Sequence, residues 1–432
     1  MASPKIVIVG GGAGGLELAT LLGKRLGKRG KADIMLVDQS PTHIWKPLLH
    51  EVAAGTLDAT HDEENYFIHA VQHDYEFQLG GMINLDRDSK KVRLGPVANK
   101  QNLILIPERE ISYDILIIAV GSTCNDFGTQ GATEHCIFLD TRESADYFHS
   151  QFLNHYIAAH ADDNASDTTA LSIAIVGGGA TGVELAAELL YAARQYYRLG
   201  LDEIQSSNVK ITLIEAGPKI LPALSEKVIA EASRELNRIG VEVLVNERVV
   251  EISEKAIKTE SGKIILSSLK VWCAGIKAPD FLSNLAGLET NKSNQLVVTP
   301  TLQTTRDESI FAMGDCSSCK LGDITVPPRA QTAHQQALCM ADNLQRYLKK
   351  DTLKPFVYTD RGSLISLSQN KSVGLLMGRL LGNVNIYGFT AKILYRSLYR
   401  SHQLFIYGLV KTGLLILSDL LSRSTGPNTK LH

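Results

Sequence analysis

Long apolar runs are what this sequence most plainly lacks. A membrane-spanning helix requires about 20 mostly apolar residues. The nearest stretch, Leu404 to Leu421, falls short and is interrupted by Gly408, Lys411, Gly413 and Asp419. Cysteine is scarce as well. Six cysteines in 432 residues (124, 136, 273, 316, 319 and 339) exclude a disulfide scaffold. None precedes Cys124. Cys316 and Cys319 form one Cys-x-x-Cys pair with no second copy, so a four-ligand zinc site lacks half its ligands. No basic segment followed by an apolar one precedes the first apolar run at Lys5, so no signal peptide is read and a reducing, cytoplasmic compartment is expected. Extreme charge is absent too. The net charge is −2, with 44% apolar and 21% charged residues, an ordinary globular composition. The length calls for two or three domains.

The charge is unevenly placed. From Ser372 to His432 there are seven Lys and Arg against the single acid Asp419, so this tail is +6 and the remainder is −8. A basic end on an acidic body points to an anionic surface as partner. Nucleic acid is not expected, because no binding motif accompanies the charge.

Two stretches organise the rest. Ile173 to Val176 is a β-branched run followed by Gly177, Gly179 and Gly182, and Lys5 to Val9 is followed by Gly10, Gly12 and Gly15. Each reads as a buried strand, a glycine turn and a helix start. The first glycine allows the turn, the second lets backbone approach a pyrophosphate, and the third lets helix and strand pack closely. The diphosphate then lies on a helix N-terminus, where free N–H groups and the dipole favour anions. Ala13 and Gly14 complete the first loop, and Thr181 stands in the second. Each unit's second strand ends on an acid, Asp38 after Ile34 to Val37 and Glu215 after Lys210 to Ile214. A carboxylate there accepts ribose hydroxyls but repels a 2′-phosphate, so Glu215 favours NADH over NADPH. Ile115 to Ala119 is a further buried strand leading to Gly121, Thr305 to Asp315 a strand that stops on Gly-Asp, and Ala330 to Leu348 a long helix. Gln331 and Gln335 share one face of that helix at i, i+4. Acidic residues over 161–169 read as an exposed loop.

The two fingerprints, together with Thr305 to Asp315, resemble those of the two-dinucleotide flavoprotein reductases. Trp45 to Glu51, Gly177 to Glu184, Ala330 to Gln335 and the basic tail narrow the likeness: the chain resembles the type II NADH dehydrogenases from Lys5 to His432. These are single-subunit NADH:quinone oxidoreductases that do not pump protons. The resemblance implies an α/β fold with two Rossmann-like domains and a C-terminal membrane-associating amphipathic helical segment. It implies an FAD domain over 1–137 and 276–355, an NADH domain over 138–275 and an anchoring domain over 356–432. FAD would be held non-covalently by Gly10, Gly12, Ala13, Gly14, Gly15, Asp38, Lys46, Pro47, Gly121, Asp315 and Ala333. NADH would meet Gly177, Gly179, Thr181, Gly182, Glu184, Glu215, Ala274 and Gly275. Glu184 would lie near both nicotinamide and quinone and share in proton delivery. Gln331 and Gln335 would bond a quinone carbonyl, with Ala330 and Ala333 permitting close approach. The implied partners are a membrane quinone and the lipid surface of the cell inner membrane on its cytoplasmic side; a homodimer with a second copy of the chain is left open.

Bland readings stand beside these. Glu184 can be a helix-dipole carboxylate, Lys46 and Pro47 a turn, and the glutamines a polar helix face. His334 is read as a neutral surface histidine. Cys316 and Cys319 can hold a soft metal or form a redox disulfide, or be two small buried thiols. Lys392, Arg396 and Arg400 form a basic stripe at i, i+4, i+8, which fits a helix lying in the membrane interface. A pyridine nucleotide–disulfide reductase would need a cysteine pair after its first helix, and there is none. A sulfide:quinone reductase needs placed cysteines and little NADH binding. A soluble ferredoxin reductase has no use for the tail. An NADH-sensing flavoprotein would reoxidise slowly with quinone.

Overall fold

Val and Ile are stiff at χ1 and pack well on a pleated surface, and they set the two main sheets. The computed structural model describes residues 3–57, 63–160, 171–198, 209–367, 372–378 and 382–425. The expected acidic loop over 161–169 lies outside the described residues. In chain order the main elements are β1 (Lys5–Val9), α1 (Ala13–Arg25), β2 (Asp33–Asp38), α2 (Leu49–Ala54), β3 (Glu76–Leu79), β4 (Ile115–Ile118), α3 (Arg142–His160), β5 (Leu171–Val176), α4 (Ala180–Arg198), β6 (Val209–Ile214), β7 (Val241–Leu244), β8 (Leu269–Trp272), β9 (Asp307–Ala312), α5 (Ala330–Leu348), β10 (Gly362–Ser366), β11 (Ser372–Gly378), β12 (Gly382–Tyr387) and α6 (Gly388–Thr425). Contacts divide the chain into two units. The first is Met1–Trp45, Asp62–Thr123 and Ile276–Thr359. The second is Lys46–His61, Cys124–Gly275 and Asp360–His432.

The first unit is built on a nine-stranded sheet whose parallel part runs β9-β4-β1-β2-β3. Ile6 faces Ile115 on one side and Ile34 on the other. All four residues of β4 are buried, as expected where helices cover both faces. α5 packs on α1. A Cβ on Gly14 would lie 3.1 Å from the Ala333 Cβ, so small residues set that approach. The strand expected from Thr305 to Asp315 is shorter. It starts at Asp307, after a tight reversal closed by the Thr304 hydroxyl on the Asp307 carbonyl, and Asp315 sits on a 3₁₀ turn, Gly314–Cys316.

The second unit holds a five-stranded parallel sheet, ordered Ile137–Phe138, β8, β5, β6, β7. α3 and α4 meet through Phe148, Phe152, Tyr156 and Tyr196, all fully buried, with the Tyr156–Tyr196 rings edge to face at 5.2 Å. Burying rings of this size supplies roughly 1.5–3 kcal/mol each. The six-residue α2 packs on both α3 and α4. The tail adds an antiparallel sheet, β10-β11-β12, which the sequence reading did not foresee, and α6 packs against it.

α6 is not one straight helix. Gly408 breaks it at φ 77°, ψ 176°, a conformation open only to glycine. Arg400 pairs with Asp419, 19 residues on. A straight helix would set these residues roughly 28 Å apart, so the second half folds back on the first. No helix among the described residues is long and apolar enough to cross a membrane.

Candidate functional site: two dinucleotide cradles and a buried acid cluster

Each unit repeats one device. In the first, Gly10 takes φ +104° and a Cβ on Gly15 would lie 1.8 Å from the Gly10 carbonyl oxygen; in the second, Gly177 takes φ +113° and a Cβ on Gly182 would lie 2.1 Å from the Gly177 oxygen. Packing alone therefore demands those glycines. The middle glycines differ: a Cβ on Gly12 or on Gly179 would meet no atom within 4 Å. Nothing in the protein requires a bare backbone there, whereas a pyrophosphate laid against it does. That open cradle fits a dinucleotide in each unit.

The strand-end acids are fixed in the same way. Asp38 accepts from the Gly11 N–H at 2.6 Å and the Ser40 N–H at 2.8 Å. Glu215 accepts from the N–H groups of Gly178 and Gly217, both at 2.7 Å. Each carboxylate is tied to its own glycine loop, so acid and cradle are set together. In the first unit the Ser122 hydroxyl donates to Asp315 Oδ2 at 2.8 Å, and the Gly314 N–H donates to the buried Gln336 Oε1 at 2.7 Å. Gly121, Asp315 and Ala333 thus belong to the Gly10–Gly15 cradle's own unit. In the second unit Trp272 Nε1 donates to the carbonyls of Asn125 and Ala274, both at 2.9 Å, fixing the turn through Gly275. Thr181 is exposed at the start of α4.

The other expected residues take the following places. Lys46 and Pro47 form a 3₁₀ turn leading into α2, in the second unit. Gln331 and Gln335 are half-buried on α5, in the first. The Gln335 amide is engaged at both ends: Nε2 donates to the Thr359 carbonyl at 2.9 Å and Oε1 accepts from its N–H at 3.0 Å. His334 is no isolated surface residue, since Nδ1 lies 2.6 Å from Oε2 of the buried Glu17. Cys316 and Cys319 are buried free thiols. The Cys316 thiol donates to the carbonyls of Ile118 and Met313, and burial pushes it up to about 12 and Cys319 up to about 11. Thiols so poorly ionised are weak nucleophiles and weak metal ligands. Among the described residues no group of three His, Cys, Asp or Glu could hold a metal ion. The basic stripe is partly neutralised: Arg400 pairs with Asp419, and Lys392 lies in the field of Glu188.

Glu184 sits in a buried acid cluster within the second unit. It is 6% exposed. Its Oε1 accepts the Ser366 N–H at 2.9 Å, and its Oε2 lies 3.7 Å from His50 Nδ1. Burial pushes its carboxyl up to about 8 against the pull of the Ser366 N–H, with Glu51 and Glu188 adding negative field. Glu188, one turn along α4, is raised by burial as well, opposed by the Thr56 hydroxyl and Lys392. The Tyr395 hydroxyl faces Glu184 without a hydrogen bond of ordinary geometry, and burial raises it well above its usual value. His50 goes the other way. Burial pushes it down to about 4, although it donates to the Pro47 carbonyl. At neutral pH Glu184 is thus a protonated acid beside a neutral imidazole. The sequence reading named Glu184 but gave no role to His50, Glu188 or Tyr395. Their one visible signal was two acids at i, i+4 in an otherwise Ala- and Leu-rich helix, Val183 to Leu190.

Two open cradles on one chain, each with a strand-end acid tied to its glycine loop, fit two dinucleotides. The profile of the pyridine nucleotide-disulphide oxidoreductases matches residues 4–337. The chain is 43% identical to a type II NADH:quinone oxidoreductase of Haemophilus influenzae, across 99% of each sequence. It is 30% identical to the type II NADH:quinone oxidoreductase of Staphylococcus aureus, across 87% of this chain and 90% of the other. Its fold is that of NDH2 from Plasmodium falciparum, solved in complex with NADH, with a TM-score of 0.84 over 100% of both chains at 19% identity. The chain belongs to the pyridine nucleotide-disulphide oxidoreductase family and, within it, to the type II NADH:quinone oxidoreductases.

Proposed function

We propose that this chain is an FAD-dependent NADH:quinone oxidoreductase, with FAD in the Gly10–Gly15 cradle and NADH in the Gly177–Gly182 cradle. The paired open cradles carry the reading, because one chain that binds two dinucleotides can pass a hydride from one to the other. FAD, when bound, accepts that hydride and releases the electron pair to a quinone. The chain's own residues do the rest. Asp38 and Glu215 hold the riboses, and Glu215 selects NADH by repelling a 2′-phosphate. Asp315, held by Ser122, orients the flavin side chain. Ala274 and Gly275 leave room for the nicotinamide. Glu184, protonated at neutral pH, is the acid available to a quinone oxygen. Gln331 offers an amide on the same helix face as Gln335, whose role is to strap Thr359 to α5.

The second half of α6 exposes Leu409, Val410, Leu414, Leu417 and Leu421. That face fits the lipid interface of the inner membrane on the cytoplasmic side, where a lipid-soluble quinone is found. A homodimer is a partner of the same reading. Anaerobic stopped-flow tests the function directly. NADH is expected to bleach the flavin band quickly, NADPH slowly, and a short-chain quinone to restore it faster than buffer oxygen does. A flavin that NADH bleaches but quinone does not reoxidise would defeat the reading.

A further inference from the structure

We propose that Glu51, His50 and Glu184 form a proton path from solvent into the buried acid cluster, with the His50 imidazole as its relay. The inference rests on the quinone-reducing reading. Converting NADH and quinone to NAD⁺ and quinol moves two electrons and one proton as hydride. The second proton of the quinol must come from solution. One acid has to deliver it, and that acid must be refilled on every turnover.

The geometry supplies the refilling route. The two ring nitrogens of His50 face two carboxylates: Nδ1 lies 3.7 Å from Glu184 Oε2, and Nε2 lies 3.9 Å from Glu51 Oε1. The side chains of His50 and Glu184 are 2% and 7% exposed, but that of Glu51 is 26% exposed and reaches water. Nε2 is buried and, among the described residues, has no hydrogen-bond partner. The imidazole donates to the Pro47 carbonyl, which leaves Nδ1 as the protonated nitrogen and Nε2 as an acceptor facing outward. A proton arriving at Nε2 from the Glu51 side makes the ring cationic. Nδ1 then releases its proton to Glu184, which leaves the ring as its Nε2–H tautomer; exchange of that proton from Nε2 to Nδ1 through water resets the relay. The separations are long by roughly an ångström for direct transfer, and catalytic hydrogen bonds commonly tighten in the working complex.

The surrounding groups favour inward travel. Facing Glu184 are Glu188 on its own helix, His50 and Glu51 on α2, Tyr395 on α6 and the Ser366 N–H on β10, with Lys392 acting through Glu188. Burial holds His50 near 4 and Glu184 near 8, so a proton on the imidazole passes to the carboxyl and not back.

A relay changes how fast Glu184 equilibrates with solvent, not where it titrates. A merely structural His50 would move the midpoint. The test is a pH jump followed by infrared absorption on the FAD-loaded enzyme, without NADH or quinone. The Glu184 carboxyl band is identified by its loss in Glu184→Gln. In His50→Asn, which keeps a donor toward Pro47 but lacks the outward nitrogen, protonation of Glu184 is expected to slow by about tenfold or more with the midpoint still near 8. In Glu51→Gln it is expected to slow likewise, with the midpoint lowered because the Glu51 charge no longer raises it. An unchanged rate, or a shifted midpoint at unchanged rate, would overturn the path. Glu51→Gln alters a partly exposed site and keeps the test valid if His50→Asn fails to fold. Failure of the path leaves quinone reoxidation of wild-type flavin intact, whereas failure of the functional reading abolishes it.

Discussion

At the scale of the residue, Glu184 carries a pH signature that needs no substrate. Its carboxyl titrates at 4.5 in the unfolded chain and at about 8 in the folded one. Between those values the folded state holds one more proton than the unfolded state. Stability therefore falls as pH climbs from 4.5 to about 8 and is flat, for this group, on either side. Glu184→Gln removes that slope and is expected to gain a few kcal/mol over the parent above pH 8. Denaturant melts at pH 5 and pH 9 check this, and equal pH dependence in both proteins would remove Glu184 as its source. Sequence alone reached the residue but not its state. A glutamate after the third glycine is legible as a motif, yet its protonation depends on α2, α6 and β10 closing over it. Those elements come from distant stretches of chain, and no local pattern announces their meeting. His50 was hidden for the same reason: nothing in a run of aromatic, basic and proline residues indicates which side chain becomes buried.

At the scale of the element, the glycine-strand-helix units were legible because one local geometry forces them: a positive-φ turn, an open approach and a close helix contact within six residues. α5 was equally plain. The sheet β10-β11-β12 was not, since its strands are short and broken by Gly362, Gly374, Gly378 and Gly382, which weaken the period-2 pattern. The sequence of α6 reads as one amphipathic segment, with Gly408 only an interruption in its apolar run. Gly408 supplies a test. Alanine at φ 77°, ψ 176° carries about 1–3 kcal/mol of strain, so Gly408→Ala is expected to straighten the helix and part Arg400 from Asp419. With Arg400→Cys and Asp419→Cys introduced together, oxidation should cross-link the parent background and not the Gly408→Ala background. Equal cross-linking in both would show that the turn does not depend on glycine.

At the scale of the whole molecule, the sequence divided the chain by its two fingerprints, and it assigned the basic tail to a lipid surface by charge. The folded tail shifts that argument from charge to apolar area. Arg400 is taken by Asp419, Lys392 faces Glu188, and the Lys411 ammonium lies 4.2 Å from the Tyr407 ring. What the second half of α6 presents instead is Leu409 and Val410, about four-fifths exposed, with Leu414, Leu417 and Leu421 beside them. Burying five such side chains in an interface supplies roughly 1.5 kcal/mol or more each before ordering costs, enough to dominate a few screened charges. Membrane binding should therefore survive raised salt. The place to cut the chain follows from the same contacts. His402, Gln403 and Ile406 are all buried, so removal of everything after Ser401 would open the second unit. Ending the chain at Tyr407 removes the apolar face and leaves the acid cluster covered. That shortened protein is expected to retain its flavin, to be bleached by NADH at the parent rate, and to stay in the supernatant when anionic liposomes are pelleted. The full chain should pellet at low and high salt alike. If the shortened protein still pellets, the membrane contact lies elsewhere on the molecule. If the full chain is released by salt, the contact is electrostatic and the basic residues carry it after all.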